Sequence, residues 1–398
     1  MLNSPLLSPW PYFEQDEIAA ATATLNTGRV NYWTGELGRQ FEQAYARAVG
    51  KPYGIALSNG TVALELALRA LGVGPGDEVI VASRSYVASA SCVLIVGATP
   101  VFADVDLSSG NISAETIAPL ITTKTKAIIP VHIGGLPCDM SAIMVLAKTH
   151  NIKVIEDCAQ AHGASIDNTP VGGWGDAAIF SFCQDKIIST GGEGGMLVLS
   201  DETSYKAAWA YKDIGRDYDA VYHQQHPPGF RWYTHSAGSN FRMTEFQAAI
   251  GLRQLEKLPA WISRRQFIAE KITQTLAKSP LIRFPHTNGK SVQYAYYRTY
   301  GLLHSPSLSQ QTLRVMRDQL IEALTRQGVP CFQGSCSEIY LEQAFSEHYA
   351  GTRLPNAQDY ADCAFCLLCH HTITNEELEH VLHLIESTVV HLQENLHA

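Results

Sequence analysis

The amino-acid sequence predicts an α/β protein, with a mostly parallel sheet in a large first domain and a smaller α+β domain after it. Across residues 53–199, short apolar runs of strand length alternate with segments of helical periodicity, the pattern of βαβ units. Glycine turns such as LGVGPGD separate these segments. Beyond Pro259 the pattern changes to a few short strands between long helices. We therefore expect a large domain over residues 12–258 and a small domain over residues 259–398.

The composition is that of a soluble globular enzyme, with 46% hydrophobic and 17% charged residues among 398. The formal net charge is −9. No window gathers roughly five or six basic residues, so we expect no nucleic-acid partner. The first residues, MLNSPLLSPWPYFEQDE, have no basic start, and no segment reaches roughly 18 apolar residues in a row. The sequence therefore predicts a cytoplasmic protein with no membrane partner.

The chain has nine cysteines, an odd number spread over predicted core segments. This distribution favours free buried thiols over a disulfide framework. One segment, CAFCLLCHH at residues 363–371, superficially offers three thiolates and two histidines to a metal ion. Its intervening alanine, phenylalanine and leucine residues are typical of a buried strand, and the turn residues of a metal knuckle are missing. We therefore expect no metal site.

The N-terminal elements are two predicted helices joined by a loop. Residues 12–28 are amphipathic, with acidic residues in the first turn and Gly28 at the end, which is typical of a capped helix. The loop from Asn31 to Gly38 is rich in glycine and aromatic residues, and a helix follows from Arg39 to Val49. Loops of this composition face a substrate or fill a core, and the residues alone favour neither.

A candidate phosphate-binding turn follows the first predicted strand, Tyr53 to Leu57. The segment SNGTVALELAL places Ser58, Asn59, Gly60 and Thr61 at the start of an apolar helix. Free backbone N–H groups and the helix dipole favour an anion there. Simple N-capping by Ser58 or Asn59 explains these residue types equally well.

The next segments continue the alternation of strands and helices. Each predicted strand is a short β-branched run, and each predicted helix follows it after a turn. The predicted elements are a strand over Glu78–Ala82, a helix after Tyr86 through Ile95, a strand over Val101–Val105, a helix from about Ala114, a strand over Ala127–Val131 and a helix over Met140–His150.

Two reactive side chains stand where apolar runs end, in residues 152–196. The first run delivers Asp157 to the expected carboxyl edge of a parallel strand, where open α/β sheets bind ligands. The second run, Ala177 to Phe182, is followed by Lys186 and a glycine cluster. A lysine amine and a neighbouring carboxylate are what a pyridoxal phosphate (PLP) enzyme requires. An exposed lysine and an ordinary strand-end aspartate are the alternative interpretation.

The second half begins with a helix after Asp201 and a long loop, DYDAVYHQQHPPGFRWYTHSAGSN. Loops of that length are usually functional or packed against another subunit. A helix is predicted over Met243–Leu258, and Pro259 should interrupt what would otherwise be one helix to about Ala277, because proline lacks the N–H that a helix interior needs. The remaining predicted elements are a strand over Tyr294–Leu303, a helix over Gln311–Gln327, short strands near Val329 and over Phe365–Cys369, and a helix from Asn375.

Taken together, the sequence resembles the DegT/DnrJ family of sugar aminotransferases, which are fold type I PLP enzymes. The resemblance extends from about residue 12 to 390. It is carried by SNGTVALELAL, GDEVIVASRSYVASA, VIEDCAQAHGA, FSFCQDKIISTGGEGGML and GSNFRMTEFQAAIGLRQLEKL. It implies a mostly parallel seven-stranded sheet flanked by helices, and a smaller α+β C-terminal domain.

The resemblance implies roles for the residues that match the family motifs. Lys186 corresponds to the Schiff-base lysine, and Asp157 to the partner of the pyridine nitrogen. Gly60, Thr61 and Ser181 correspond to ligands of the cofactor phosphate.

Three further cofactor contacts are implied. Gln160 corresponds to a residue beside the cofactor's hydroxyl and ring, and Tyr86 to the aromatic side chain stacked on the ring. Asn240, in GSNFRM, corresponds to an asparagine that reaches the cofactor phosphate of the neighbouring subunit. The resemblance therefore implies a homodimer with shared active sites.

Five residues are candidates for contact with substrate: Trp33, Thr34, Tyr233, His235 and Arg242. Packing in a core or a subunit interface explains each of them equally well.

The implied reaction is amino transfer from a donor, with glutamate expected, to a keto-sugar carried on a nucleotide. Its implied setting is bacterial surface-polysaccharide, lipopolysaccharide O-antigen or amino-sugar biosynthesis. Two segments depart from the family pattern: CQDK, before and including the lysine, and CLLCHHTIT, where a Leu-Pro-His-Pro-like stretch is common. Neither departure removes a catalytic atom, but both alter the surroundings of the pocket.

Three alternatives have weaker support. PLP-dependent sugar dehydratases of this kind carry histidine at the lysine position, and Lys186 argues against that activity. A non-catalytic regulatory homologue is disfavoured by the intact pair of Lys186 and Asp157 and by the lack of a basic recognition helix. A nicotinamide-dependent oxidoreductase would need G-x-G-x-x-G at a strand-to-helix turn, which is missing.

Overall fold

A seven-stranded sheet with its flanking helices, together with two further short strands, forms the first two thirds of the chain. The computed structural model describes residues 4–229, 233–287, 291–334 and 337–394. The elements of this part are α1 Gln15–Asn26, α2 Leu37–Ala48, β1 Tyr53–Leu57, α3 Gly60–Ala70, β2 Glu78–Ala82, α4 Ala88–Ile95, β3 Thr99–Ala103, α5 Ala114–Ile117, β4 Thr125–Ile129, α6 Met140–His150, β5 Lys153–Asp157, β6 Ser165–Ile166, β7 Thr169–Pro170, β8 Ala177–Ser181, β9 Gly195–Leu199, α7 Glu202–Lys212, α8 Tyr218–Tyr222 and α9 Glu245–Leu276.

The large sheet has the strand order β1-β9-β8-β5-β4-β2-β3. The pairs β2/β3, β2/β4, β4/β5 and β5/β8 are parallel, and only β9 runs against its two neighbours. Helices cover the sheet, so its strands are almost wholly buried and read as apolar runs without polar alternation. The predicted mostly parallel, seven-stranded sheet is therefore confirmed.

Element bounds differ from the sequence predictions by a few residues in most cases. The third and fourth strands each begin two residues earlier than predicted, at Thr99 and Thr125. The helix from Ala114 is a single turn. Part of the long loop after Asp213 is helical, as α8, and its residues 230–232 lie outside the described residues.

A smaller α+β part completes the chain. Its elements are β10 Ile282–Arg283, β11 Val292–Gln293, β12 Thr299–Leu303, α10 Gln310–Arg326, β13 Cys331–Phe332, α11 Pro355–Cys363, β14 Ala364–Leu367 and α12 Asn375–Glu394. An antiparallel sheet of order β10-β12-β14-β13 packs with α10, α12 and the second half of α9 around its own apolar core. This confirms the smaller α+β part, while the division between residues 258 and 259 stays a prediction. No helix in the described residues is long and apolar enough to cross a membrane.

The predicted interruption at Pro259 is wrong, because α9 runs through it without a break. A proline inside a helix removes one hydrogen bond and crowds the preceding turn, at a cost of about 3 kcal/mol. Packing on both sides outweighs that cost. Residues before Pro259, such as Ala248, lie in a core of the large part, and Ile268, Ile272 and Leu276 lie in the core of the small part.

The predicted strand from Tyr294 to Leu303 is wrong in its first half, because β12 begins only at Thr299 and the short β11 ends at Gln293. Between them Tyr296 has a left-handed backbone with φ of 49°, which no strand accommodates. The backbone N–H groups of Ala295 and Tyr297 instead donate to Gly135 O (3.1 Å) and Gly134 O (2.8 Å) in the large part of the chain. This bend places Tyr297 beside the carboxyl edge of the large sheet.

Candidate active site

A cavity of about 680 Å³ lies at the carboxyl edge of β5 and β8. This volume suits a small-molecule ligand. Seven residues predicted from the sequence line it: Gly60, Thr61, Tyr86, Asp157, Gln160, Ser181 and Lys186. The structure therefore brings together side chains that are far apart along the chain.

Asp157 is the last residue of β5 and is only 5% exposed. Its Oδ2 accepts a hydrogen bond from Ser89 Oγ (2.9 Å), and its Oδ1 accepts one from the backbone N–H of Ala159 (3.1 Å). Burial raises the pKa of Asp157, while these two donors and the charge of Lys186 act in the opposite direction. The two donors fix the orientation of the carboxylate within the cavity.

Lys186 lies in the turn that follows β8. Its backbone N–H donates to Cys183 O (3.0 Å), and its Nζ is 3.6 Å from Oδ1 of Asp185. The centroid of the Tyr297 ring is 5.0 Å from Nζ. Burial alone would lower the pKa of Lys186, but Tyr297, Asp185 and Asp157 favour the ammonium form, and the pKa is raised.

The N-terminus of α3 forms the wall where the phosphate-binding turn was predicted. The first backbone N–H groups of a helix have no acceptor within it. Asn59 Oδ1 accepts from the N–H of Val62 (3.0 Å), which leaves the N–H groups of Gly60 and Thr61 for a ligand. A Cβ on Gly60 would lie 2.9 Å from the Cβ of Ser181, so only glycine allows this close approach. Asn59 therefore caps the helix and Gly60 and Thr61 line the cavity, while the phosphate-binding interpretation stays a prediction.

Tyr86 and Gln160 complete the predicted set. Tyr86 follows β2 and has a side chain that is 65% exposed although it lines the cavity. Gln160 follows β5, and its Oε1 accepts from the backbone N–H of Gly134 (2.7 Å). The ring of Tyr86 therefore presents a free face, whereas the amide of Gln160 is fixed by the backbone.

Other lining residues were missed by the sequence analysis, among them Ser85, Ser89, Asp185, Tyr297 and Arg298. Ser85 lies shortly after the end of β2, so the rule that singled out Asp157, a polar residue at the carboxyl end of a strand, could have found it, whereas Ser89 lies in the first turn of α4. Tyr297 and Arg298 carried no such signal, because the sequence predicted an unbroken strand through them.

Glu156, next to Asp157, points to the other face of β5 and is fully buried. Its carboxylate accepts from the N–H groups of Gly172, Trp174 and Gly175 (2.8 Å each) and is 3.3 Å from His132 Nε2. Burial opposes ionisation, but these partners lower its pKa. Glu156 therefore anchors the chain behind the cavity and does not face a ligand.

Among the described residues, His132, Glu156 and Cys158 are the one group whose ligand atoms lie close enough to hold a metal ion. The backbone donors on Glu156 already occupy both of its oxygens. The cysteines of CAFCLLCHH are buried and free, and their sulfur atoms are not part of this group.

Six predicted residues, all in the described part of the chain, do not line the cavity: Trp33, Thr34, Tyr233, His235, Asn240 and Arg242. Trp33 and Arg242 instead converge on the buried carboxylate of Asp213, with Trp33 Nε1 at 3.3 Å from its Oδ1. Asn240 is exposed and bridges to the backbone of Asp213.

The other three residues lie apart from this cluster. Thr34 borders a second cavity of about 590 Å³ between α1, α2 and α9. His235 is 3.5 Å from Asp217, and Tyr233 packs edge-on against His226. None of the six reaches the cavity of its own chain.

The chain is similar to known aminotransferases along most of its length. Residues 11–386 match the DegT/DnrJ/EryC1/StrS aminotransferase family. A GDP-perosamine synthase from Caulobacter vibrioides is 40% identical over 303 residues, 75% of this chain and 76% of that protein. Another from Escherichia coli O157:H7 is 38% identical over 354 residues, 89% of each chain. The X-ray structure of an aminotransferase from Psychrobacter cryohalolentis matches with a TM-score of 0.93 and 45% identity, over 97% of this chain and 100% of that one.

The match spans nearly the whole length and confirms the resemblance that the motifs carried. The chain belongs to the DegT/DnrJ/EryC1/StrS aminotransferase family.

Proposed function

We propose that the protein is a PLP-dependent aminotransferase that moves an amino group, with glutamate as the expected donor, to a keto-sugar carried on a nucleotide. The observation that supports this most is the convergence of Lys186 and Asp157 on one cavity, beside the free N-terminal donors of α3. Membership of an aminotransferase family supports the reaction. The GDP in the name of two relatives supports a nucleotide-linked acceptor.

The residues present fit PLP. The N–H groups of Gly60 and Thr61, with the nearby hydroxyl of Ser181, would hold the phosphate, because a helix N-terminus favours an anion. Asp157 would face the ring nitrogen, and the exposed ring of Tyr86 would stack on the cofactor. When bound, PLP supplies an electron sink for the charge that develops at the substrate carbon.

Asp157 would keep the ring nitrogen protonated. A carboxylate about 4 Å from a cationic nitrogen, at an effective dielectric near 20, gives roughly 4 kcal/mol of attraction. Burial disfavours ionisation of the Asp157 carboxyl group, but the protonated ring nitrogen of PLP opposite it would compensate for that cost. Ser89 and the N–H of Ala159 hold the carboxylate in place for this task.

Lys186 would hold the cofactor covalently and then act as the proton carrier. Once released by the incoming amine, its Nζ would take a proton from the substrate carbon and deliver it to the carbon on the other side of the amine nitrogen. General acid–base transfer of this kind contributes about 10²- to 10⁴-fold to a rate. The flexible stem of lysine allows both positions to be reached.

A homodimer with shared sites is part of the proposal. Asn240 is exposed and lies outside the cavity of its own chain, so a neighbouring subunit is the partner that it would serve. Trp33 and Arg242, which meet at the buried Asp213 next to Asn240, would contribute from the same side.

Replacement of the lysine tests the proposed function. We expect Lys186→Ala to abolish turnover with glutamate and a nucleotide-linked keto-sugar, and to lose the cofactor-labelled peptide that borohydride reduction yields from the unaltered protein. Lys153→Ala is the matched control, because Lys153 pairs with Asp176 and does not line the cavity. Undiminished turnover in Lys186→Ala would overturn the proposed function.

A further inference from the structure

An acidic side chain stands beside the lysine in the cavity. Asp185 Oδ1 is 3.6 Å from Lys186 Nζ, and both side chains are largely buried, at 29% and 16% exposure. The other oxygen, Oδ2, accepts a hydrogen bond from the hydroxyl of Tyr297. One carboxylate thus bridges the lysine and a tyrosine that is 112 residues away in the chain.

The other charged and titratable groups around Lys186 have different partners. Asp157, at the end of β5, is held by Ser89 and the N–H of Ala159. Glu193, in the glycine turn, is 3.9 Å from the thiol of Cys183. His162, on the buried side of the loop, bonds to Tyr45 and to Ser181 O. In the described part of the chain, Asp185 is therefore the carboxylate that forms an ion pair with Lys186.

Tyr297 is well placed to orient Asp185. Its backbone N–H is fixed by Gly134 O (2.8 Å), and its ring face lies 5.0 Å from Lys186 Nζ on one side. The guanidinium of Arg298 is also 5.0 Å from the ring centroid. Gly134, Lys186 and Arg298 therefore hold Tyr297 in place, and its hydroxyl donates to the Asp185 carboxylate from that fixed position.

We propose that Asp185, oriented by Tyr297, is a positioning residue that stabilises the ammonium form of Lys186 and aims its Nζ into the cavity. The consequence for the reaction rests on the proposed function. When the C–H bond of the substrate breaks, an N–H bond forms at Nζ and the electron pair stays with the carbon. A carboxylate at Nζ favours that step, because it stabilises the proton on the amine.

The pairing can be measured without cofactor or substrate. In the cofactor-free protein, the rate at which Lys186 reacts with trinitrobenzenesulfonate, followed by mass spectrometry of its peptide, reports the neutral amine. We expect Asp185→Asn to raise that rate at pH 8 by about tenfold or more. This follows from a unit charge 3.6 Å away under screening between that of water and that of a protein surface.

Two further variants provide a control for the loss of a nearby carboxylate and a test of the role of Tyr297. Glu193→Gln removes a carboxylate that lines the same cavity without pairing with the lysine, and we expect the rate to stay within about twofold. Tyr297→Phe should raise the rate less than Asp185→Asn does, and the double variant should equal Asp185→Asn, because Tyr297 acts through Asp185. An unchanged rate in Asp185→Asn, or equal effects of Asp185→Asn and Glu193→Gln, would overturn the proposal.

The result separates this inference from the proposed function. Loss of turnover in Lys186→Ala with no change of lysine reactivity in Asp185→Asn would leave the aminotransferase intact and refute the role of Asp185. In the holoenzyme, we expect Asp185→Asn to move the pH profile of kcat to lower pH, in line with a less basic Lys186. A profile identical to that of the unaltered protein would count against the role.

Discussion

Replacing Ser89 with alanine tests how the fold holds the Asp157 carboxylate in position for the ring nitrogen of PLP. Ser89, on α4, donates to Asp157 Oδ2 at 2.9 Å and shares a second hydrogen bond with Ser85 at 2.6 Å. A hydrogen bond to a charged group contributes about 1.5–3 kcal/mol, and each 1.4 kcal/mol corresponds to about tenfold in an equilibrium constant. Cavity water can replace part of the lost bond, so we expect PLP to bind about tenfold more weakly.

The assay is titration of the cofactor-free protein with PLP, followed by the quenching of tryptophan fluorescence. Ser91→Ala is the control, because it makes the same change on the same helix without touching Asp157. The dissociation constants should differ between the two variants. If Ser89→Ala and Ser91→Ala bind PLP equally well, the hydroxyl of Ser89 does not support Asp157 and the reasoning fails.

The reasoning also predicts the direction in which Ser89→Ala shifts the pH dependence of PLP binding. Burial raises the pKa of Asp157, and the hydrogen bond from Ser89 opposes this. The anion that PLP needs is present above that pKa and is lost as the pH falls through it. Loss of the Ser89 donor raises the pKa further, so binding by Ser89→Ala should weaken at a higher pH than binding by the unaltered protein. A shift to lower pH would contradict the argument.

Two other predictions concern the assembly and the fold. Mixing Lys186→Ala subunits with Asn240→Ala subunits should restore part of the activity through hybrid dimers, and no recovery despite proven subunit exchange would refute a role for Asn240 across the interface. Glu156→Gln should lower the free energy of unfolding by about 1–3 kcal/mol in urea titrations, since an amide group replaces one acceptor oxygen and leaves a buried backbone N–H among those of Gly172, Trp174 and Gly175 without its acceptor. Because the pKa of Glu156 is lowered in the fold, its contribution exists above the ordinary carboxyl pKa and vanishes as the pH falls through the lowered value. A difference between the two proteins that grows on acidification would contradict this sign.

The sequence predicts those cavity residues that stand at the end of a strand or at the start of a helix, because the same pattern that predicts the element also places the residue. Asp157 and Ser181 each stand at the end of an apolar run, and parallel strands place such ends at one edge. Gly60 and Thr61 open a helix directly after a strand, so their backbone donors face the same edge. These features depend only on neighbouring residues, so the spacing of apolar residues along the chain is sufficient to predict them.

The features that the sequence does not reveal depend on contacts between distant segments. The hydrogen bond between Tyr297 and Asp185 joins residues 112 positions apart, and it needs the left-handed turn at Tyr296, which a tyrosine does not favour on its own. Helix propensity alone predicts a break at Pro259. The helix α9 nevertheless continues through it, because its residues on either side of Pro259 are packed in two separate cores. In each case tertiary packing outweighs the local preference.

The most direct test of the central claim is the visible absorption spectrum of the purified protein, recorded before and after glutamate is added with no acceptor present. PLP held by Lys186 should give a yellow protein, and glutamate should bleach it as the amino group moves onto the cofactor. A protein that gains no visible absorption even when PLP is supplied would contradict the assignment of Lys186 and Asp157 to an aminotransferase site.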